Sequence, residues 1–387
     1  RPKIQTSGHF CSIRASPEMA SLGCFCKCAG AAVLAVALLL GLLLSGTLAK
    51  TGIFAKLDQL DTGRGQPLMG MSPAFHLGTN WGFTLEEIPD LTGETIFVTG
   101  GNVGLGYWTA YHMAAKGGSV IIGCRSQSKC NDAASKIKAE TGKSVSTALL
   151  DLASFASIRA CAKALAAEHS ALDSLVLNAG VMMCPHGLTE DGLETQIGTN
   201  HFGHFLLTKL LLPQLEAAAT ARGVATVVAV SSNAHYSSYP EGILPSIARM
   251  NDASAYIRTS AYGQSKLANV LFAQELAARL RDKKILVNSL NPGAVDTELG
   301  RHIEDLIRSF SPTVAQVMKD NIKFQWHPKD AALTQIYAAV GPRLRSEKIT
   351  GRYFAPIARE AKPDPHTFNV TLQKHLWDLS EQYITSH

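Results

Sequence analysis

The sequence predicts an α/β protein built on a doubly wound parallel sheet. From about residue 90 onward, short β-prone apolar runs alternate with amphipathic helical patterns, and such alternation requires parallel strands. Polar or glycine-containing motifs follow several of these runs, where ligands lie in parallel sheets. The 387 residues are 46% hydrophobic and 17% charged, which supplies a large buried core and excludes a disordered chain.

Three segments are expected before this domain. Residues 1–28 are polar and without apolar periodicity, so little order is expected there. Residues 29–49 carry no charge, and about 20 apolar residues span a bilayer as a helix. We expect an N-terminal apolar transmembrane helix, with a cleaved targeting segment and a buried core helix as alternatives. Residues 50–89 are expected to be a linker or an ordered lead-in to a domain at 90–387.

Charge and cysteine content limit the expected binding partners and the expected state of the thiols. The net charge is +5, and no dense Lys/Arg run is interleaved with aromatics, so nucleic-acid binding is not expected. Four cysteines lie scattered in the domain without CxxC or zinc spacing, at Cys124, Cys130, Cys161 and Cys184. They are predicted to be reduced thiols that pack as small apolar residues.

The first β-prone run, Thr95 to Val98, is followed at once by Thr-Gly-Gly-Asn-Val-Gly-Leu-Gly and then by a helical pattern. Strand, glycine turn and helix in this order form a Rossmann-type dinucleotide site, in which backbone approaches a pyrophosphate at a helix N-terminus. The expected contacts are Gly100, Asn102, Gly104, Leu105 and Gly106. Valine at 103 argues against the glycine spacing of sugar-nucleotide epimerases. A structural turn without a ligand is the alternative.

The second strand, predicted over 119–123, ends in Cys124-Arg125-Ser126. An NAD site usually places an acid here for the ribose 2′-hydroxyl, and this chain has none. Arg125 can instead pair with a 2′-phosphate, which favours NADP(H). The alternative is that Arg125 is an ordinary surface residue.

The alternation continues to the end of the domain. Strands are predicted over 145–150, 174–177, 224–230 and 285–290. Helices are predicted over 154–168, from Asn200 to Pro213, and through the segment that holds Tyr262 and Lys266.

Tyr262 and Lys266 are four residues apart and therefore share one face of that helix. A phenol with a pKa near ~10 is a poor proton carrier at neutral pH, and a nearby cation favours its phenolate. The pair can then act as a general acid/base. The alternative is a solvated pair on a helix surface.

Taken together, these motifs resemble the short-chain dehydrogenase/reductase family, and more closely its retinol dehydrogenase-like members. The resemblance covers nearly all of residues 90–387. It rests on Asp90-Leu91-Thr92-Gly93, the glycine turn, Cys124-Arg125, Asp151-Leu152, Asn178-Ala179-Gly180, Asn200, Ser232, Tyr262-x-x-x-Lys266, Asn291-Pro292-Gly293 and Gly351-Arg352-Tyr353-Phe354.

The resemblance implies four catalytic residues. Tyr262 exchanges the proton of the carbonyl or alcohol oxygen, and Ser232 hydrogen-bonds that oxygen. Lys266 lowers the tyrosine pKa and holds the cofactor ribose, and Asn200 supports a water that leads protons to Lys266. Ser232 is preferred to Ser231 because the family's serine immediately precedes a loop of the Asn-Ala-His type.

Further cofactor contacts are implied in the same way. They are Asp151 and Leu152 at the adenine, Asn178, Ala179 and Gly180 beside the ribose, Tyr262 and Lys266 as above, and Pro292, Gly293 and Thr297 near the nicotinamide. Val103 departs from relatives that carry a serine near the phosphates, which removes a hydrogen bond worth ~1 kcal/mol where it is made.

The predicted function is an NADP(H)-dependent oxidoreductase that interconverts a lipophilic alcohol and its aldehyde or ketone, with the segment from Glu298 to Lys329 shaping the substrate side. The resemblance favours location at an endoplasmic reticulum-like membrane. For the assembly of the protein, a homodimer and a membrane complex are the two alternatives. The alternative is a non-catalytic accessory subunit of a membrane assembly. His201 and His204 have metal-ligand spacing but no third ligand, so no metal is expected.

Overall fold

The computed structural model describes residues 82–295 and 326–387. The predicted segments 1–28 and 29–49 lie outside these residues, as do Thr297 and most of the predicted substrate segment. Within the two described ranges, no helix combines the length and the apolar character that crossing a membrane requires.

The described residues form one eight-stranded sheet in the order β3-β2-β1-β4-β5-β6-β7-β8. All neighbouring pairs are parallel except β7 with β8, which is antiparallel. The strands are β1 Thr95–Thr99, β2 Ser119–Cys124, β3 Ser146–Leu149, β4 Ser174–Leu177, β5 Ala225–Val230, β6 Ile285–Leu290, β7 Tyr353–Ala355 and β8 Arg359–Glu360. The strand order reverses between β1 and β4, and ligands bind at the carboxyl ends of such a switch point. The predicted Rossmann-type fold is confirmed.

Helices cover both faces of this sheet. They are α1 Gly104–Ala115, α2 Gln127–Thr141, α3 Phe155–Glu168, α4 Thr195–Ile197, α5 Gly203–Arg222, α6 Ile247–Met250, α7 Arg258–Arg279, α8 Pro328–Val340, α9 Pro342–Ser346 and α10 Val370–Ser386. Successive strand residues point to opposite faces. Phe97 accordingly packs into the core under α3, α5 and α7, and its neighbours Ile96 and Val98 into the core under α1 and α8.

The predicted strand boundaries agree closely with the structure, and 285–290 is identical to β6. One helix boundary was wrong, because the helix expected to end at Pro213 continues to Arg222 with the proline inside it. The residues after the proline that face the core, Leu215, Ala218 and Ala219, are fully buried. Their packing outweighs the hydrogen bond that a proline removes from a helix.

The end of the predicted lead-in is ordered. Phe83 and Ile88 are buried in the domain core, and the Phe83 ring meets Tyr337 of α8 edge-on at 5.4 Å between centroids. Residues 82–89 therefore belong to the packed structure.

The prediction of four reduced cysteines was wrong for one pair. Cys124, at the end of β2, forms a disulfide with Cys130 in α2, with 5.8 Å between their Cα atoms. The reason is that the chain turns straight back from β2 into α2, which brings two residues six apart in sequence within the range of a disulfide. Burial raises the pKa of the Cys161 thiol to about 11, so this cysteine packs as an inert apolar residue.

Candidate active site

The glycine turn between β1 and α1 requires glycine at three positions. Gly100 and Gly104 have positive φ angles of 66° and 55°, which L side chains rarely adopt. A Cβ on Gly106 would lie 2.3 Å from the Gly100 carbonyl oxygen. Val103, at the N-cap of α1, gives no side-chain hydrogen bond to the first turn. The first-turn N–H groups of α1 are therefore not capped by the side chain of Val103, and uncapped N–H groups at a helix N-terminus suit an anionic phosphate.

Thr99 joins this turn to the neighbouring strand β4. Its Oγ1 accepts hydrogen bonds from the backbone N–H of Asn178 at 2.9 Å and of Ala179 at 3.0 Å. The Asn178 side chain donates back to the Thr99 carbonyl at 2.8 Å. The predicted ribose wall, Asn178 to Gly180, is thus fixed directly beside the glycine turn.

The residues predicted for the adenine end lie beyond β2 and β3. Arg125 is exposed immediately after β2, and the disulfide spans the turn that carries it. Leu152 is buried, and the Asp151 carboxylate accepts from the Ala153 N–H at 2.9 Å. These three residues follow the two strands on one side of β1, which is the side expected of an adenosine half.

Tyr262 and Lys266 are both buried on α7. The Lys266 ammonium lies 5.7 Å from the centre of the Tyr262 ring and donates to the Val230 carbonyl at 3.2 Å. Burial raises the pKa of Tyr262 to about 12, although a hydrogen bond with Ser232 acts in the opposite direction. Burial lowers the pKa of Lys266 to about 8. The predicted lowering of the tyrosine pKa therefore needs further positive charge beside the phenol.

The two adjacent serines have different environments. Ser231 is buried and its hydroxyl donates to the Lys266 backbone carbonyl at 2.7 Å. Ser232 instead presents its hydroxyl to Tyr262 and accepts from the Ala234 N–H at 3.2 Å. The geometry thus brings Ser232, rather than Ser231, to the phenol.

A glycine permits this approach. A Cβ on Gly263 would lie 2.6 Å from the Ser237 carbonyl oxygen and 2.7 Å from that of Ala234. Because Gly263 has no side chain, the 3₁₀ turn Asn233–Ser237 that follows Ser232 packs directly onto α7.

Asn200 lies in a π-helical turn, Gly198–Phe202, just before α5. Its side chain donates to the Val181 carbonyl and the Ser265 hydroxyl, both at 2.9 Å, and accepts from the Val181 N–H at 2.8 Å. A Cβ on Gly180 would lie 3.0 Å from Asn200 Oδ1 and 3.4 Å from Lys266 Nζ. Asn200 is therefore near Lys266, and its side-chain amide is bonded to Val181 and Ser265.

Comparison with known proteins identifies the family of this chain. The family model of the short chain dehydrogenase matches residues 94–246 and 246–306. The chain belongs to the short-chain dehydrogenase/reductase family.

Relatives extend over most of the chain. Human retinol dehydrogenase 13 is 39% identical over 297 residues, which cover 76% of this chain and 85% of that protein. An uncharacterised protein from Mycobacterium paratuberculosis has a similar structure with 31% identity and a TM-score of 0.58, covering 79% of this chain and 98% of that one. The Pseudomonas aeruginosa RhlG/NADP active-site complex shares 27% identity with a TM-score of 0.53, covering 68% and 95%.

The turn after β6 closes the site of this short-chain dehydrogenase on the side of Ser232. Gly293 follows the buried Pro292 and has a φ of 90°. The Asn291 side chain accepts from the Gly293 N–H at 3.0 Å and donates to Asn233 at 2.8 Å. The Asn-Pro-Gly motif thus holds the loop that carries the serine.

The two histidines with metal-ligand spacing do not converge. His201 lies 2.8 Å from the Ser380 hydroxyl of α10, and burial lowers its pKa to about 3. His204 instead contacts the Thr99 hydroxyl through Nε2 at 2.9 Å and the Asn200 carbonyl through Nδ1 at 3.0 Å. Across residues 82–295 and 326–387, no group of three or more His, Cys, Asp or Glu is arranged for a metal.

Sequence reasoning missed three residues that support the site of this dehydrogenase. Thr99, His204 and His235 are all buried polar residues that bridge elements far apart in the chain. The only sequence signal was their position beside motifs already recognised, because a single sequence does not reveal pairing over a hundred residues.

Proposed function

We propose that this protein is an NADP(H)-dependent oxidoreductase that interconverts a lipophilic alcohol and its aldehyde or ketone. The observation that carries the proposal is the approach of the Ser232 hydroxyl to the buried Tyr262, with the buried Lys266 ammonium 5.7 Å from the centre of the same ring. A relative named retinol dehydrogenase supports the substrate class.

The residues present fit a nicotinamide dinucleotide. A side chain on Gly106 would collide with the Gly100 carbonyl oxygen, so glycine here lets α1 begin close against the turn, and the N-terminus of α1 is without a side-chain cap from Val103. When bound, the nicotinamide supplies the hydride chemistry. Arg125 pairs with the 2′-phosphate in this proposal, since it is exposed after β2 where no acid is available for a ribose hydroxyl. The name of the RhlG complex, which contains NADP, is consistent with that choice.

Side chains of the protein carry out the proton transfer in this scheme. The Tyr262 hydroxyl delivers or accepts it at the substrate oxygen, and the Ser232 hydroxyl donates a hydrogen bond to that oxygen. Each unit by which the pKa of Tyr262 falls corresponds to ~1.4 kcal/mol. The Lys266 ammonium lies 5.7 Å from the centre of the Tyr262 ring, and an oxidised nicotinamide would add a second positive charge. Together these charges would lower the pKa of Tyr262 from the value of about 12 that burial produces.

Asn200 has a supporting part in this scheme. Its side chain holds Val181 and Ser265, and so fixes the wall at Gly180 against Lys266. We retain for this residue the predicted support of a water that leads protons to Lys266. We also propose that residues 29–49 attach the enzyme to an endoplasmic reticulum-like membrane, and that any partner is a second copy or a membrane complex.

The test is NADPH oxidation by the purified full chain with a panel of lipophilic aldehydes. Tyr262→Phe removes the proton carrier, so the turnover number should fall by roughly 10² to 10⁴. Tyr111→Phe on α1 is the matched control and should retain activity. If NADPH-loaded wild type reduces none of these carbonyls, the oxidoreductase proposal fails and the accessory subunit becomes the better explanation.

A further inference from the structure

A buried imidazole lies directly behind the Ser232 loop. His235 is fully buried in the 3₁₀ turn that follows this serine. Its Nδ1 lies 2.6 Å from the Ser232 carbonyl oxygen, and its Nε2 accepts the backbone N–H of Asp364 at 3.0 Å. The imidazole therefore connects the active-site loop to a segment 129 residues further along the chain.

The partners of His235 determine its tautomer. A carbonyl oxygen only accepts and a backbone N–H only donates, so Nδ1 carries the proton and Nε2 has none. The rings of Tyr236 and Tyr353 are the aromatic neighbours of the imidazole, with centroid distances of 4.1 and 5.1 Å. The negative charge of the Asp364 carboxylate acts to raise the pKa of His235. Burial nevertheless lowers the pKa of His235 to about 4. The ring is thus neutral and keeps one hydrogen-bond pattern at neutral pH.

The far end of this connection is itself anchored. The Asp364 carboxylate accepts from the His366 N–H at 2.9 Å, and the Tyr236 hydroxyl donates to the Lys362 carbonyl at 2.6 Å. His366 Nε2 lies 3.2 Å from the Pro240 carbonyl oxygen. Residues 362–366 therefore form a fixed support behind the Ser232 loop.

We propose that His235 is a positioning residue, which holds the Ser232 peptide so that the Ser232 hydroxyl is directed at Tyr262. This inference rests on the proposed function of the site. The Ser232 carbonyl accepts from both the His235 side chain and the His235 N–H, the latter at 3.0 Å. Two donors fix the peptide plane, and with it the direction of the serine side chain.

A matched set of variants separates positioning from packing. His235→Phe removes both hydrogen bonds, whereas His235→Asn places a donating amide where Nδ1 stood and keeps only the bond to Ser232. Tyr236→Phe removes a second link between the loop and residues 362–366, the hydrogen bond to the Lys362 carbonyl, and leaves both His235 hydrogen bonds in place. The readouts are kcat against pH, the NADPH dissociation constant, and the pKa of Tyr262 from phenolate absorbance, taken as the difference from Tyr262→Phe.

We expect His235→Phe to lower kcat by roughly 10- to 100-fold, as small misplacements of catalytic groups do. The pKa of Tyr262 should rise by about one unit, because a misdirected Ser232 no longer hydrogen-bonds the phenol. His235→Asn should recover most of both losses, Tyr236→Phe should cause neither, and NADPH binding should be unchanged in all three. The assignment would be overturned if the pKa of Tyr262 did not change in His235→Phe. It would also be overturned if His235→Asn had no higher kcat than His235→Phe.

A measurement on wild type covers the case in which His235→Phe does not fold. Nitrogen-15 spectra of histidine-labelled protein should show His235 as the neutral Nδ1–H tautomer throughout the neutral range. A protonated ring or the Nε2–H tautomer there would refute the proposal. The phenolate titration does not require turnover. If wild type reduces no carbonyl and the pKa of Tyr262 still shifts in His235→Phe, the proposed function is wrong but the positioning role of His235 still holds.

Discussion

The ammonium of Lys266 and the phenol of Tyr262 share a buried face of α7, with Nζ 5.7 Å from the ring centre. Their burial disfavours the charged form of each, since it lowers the pKa of Lys266 to about 8 and raises that of Tyr262 to about 12. The arrangement that would serve proton transfer is thus costly to the fold, as is common at active sites.

Lys266→Met should therefore stabilise the protein while abolishing turnover. The folded state has the lower lysine pKa, so the unfolded state binds more protons between about pH 8 and about pH 10.5. The penalty is full below this window and is relieved as pH rises through it. Removing the lysine should raise the free energy of unfolding by about 1–3 kcal/mol at neutral pH.

Denaturant unfolding of both proteins at neutral pH and near the top of this window measures the effect. The Val230 carbonyl also accepts a hydrogen bond from Asn269 at 3.0 Å. This bond does not depend on Lys266, so the variant leaves no unsatisfied buried acceptor at Val230. An advantage that stays constant with pH would show that the buried ammonium is not its cause.

The adjacent serines should respond differently to alanine. Ser232→Ala removes the hydroxyl at the phenol, so kcat should fall by roughly 10² to 10³ with little change in stability. Ser231→Ala removes the donor to the buried Lys266 carbonyl and should cost about 1–3 kcal/mol of stability with a smaller loss of kcat. Steady-state kinetics and thermal unfolding on both variants give the comparison, and a reversed order of kcat losses would assign the site to Ser231.

Much of this site was predictable because its motifs are local. The glycine turn, Arg125 and the Tyr262/Lys266 pair each lie within a few residues of the end of a strand or along one helix, so periodicity and spacing place them. The turn that bonds Thr99 to Asn178 and the bridge from His235 to Asp364 span 79 and 129 residues. Such pairing follows from the order of strands in the sheet, which a single sequence leaves open.

The same distinction explains the errors. Pro213 is a helix-ending signal by local rules, and it failed because buried residues after it pack against the sheet. Cys124 and Cys130 lack any recognised spacing, and only the sharp return of the chain from β2 into α2 brings them together.

Gly263 should tolerate no side chain. A Cβ would meet two backbone carbonyl oxygens at 2.6 and 2.7 Å, and backbone atoms cannot rotate aside. Gly263→Ala should destabilise the fold by about 1–3 kcal/mol and lower kcat, because the Ser232 turn must move off α7.

Gly187→Ala is the control for this substitution, since its Cβ would meet only the Thr195 side-chain oxygen at 3.1 Å. Thermal unfolding and kinetics on both variants distinguish the two environments. Equal effects would mean that contact with α7 does not set the position of the serine loop.

Arg125 is predicted to select the cofactor. Arg125→Asp replaces a partner for the 2′-phosphate by a like charge, so NADPH should bind about 10- to 100-fold more weakly while NADH binds as well or better. Arg281→Asp makes the same charge change at an exposed position after α7 and controls for the overall field. Dissociation constants from cofactor fluorescence decide the matter, and an unchanged NADPH/NADH ratio would exclude Arg125 from the phosphate site.

Val103→Ser should improve cofactor binding. Val103 is 42% exposed at the N-cap of α1 and offers no hydrogen bond to the first turn. A serine there can cap the helix or contact a phosphate, and either bond is worth about 1 kcal/mol. Where the hydroxyl reaches the phosphate, NADPH affinity should increase about fivefold. Where it caps α1, the melting temperature should rise instead.

Val103→Ala, which removes the exposed apolar surface without adding a hydroxyl, is the control for that substitution. Titration with NADPH and thermal unfolding in its absence separate the two roles of the serine, because only the phosphate contact changes affinity. If the serine and alanine variants had the same NADPH affinity and the same melting temperature, the valine at this position would weaken neither cofactor binding nor α1.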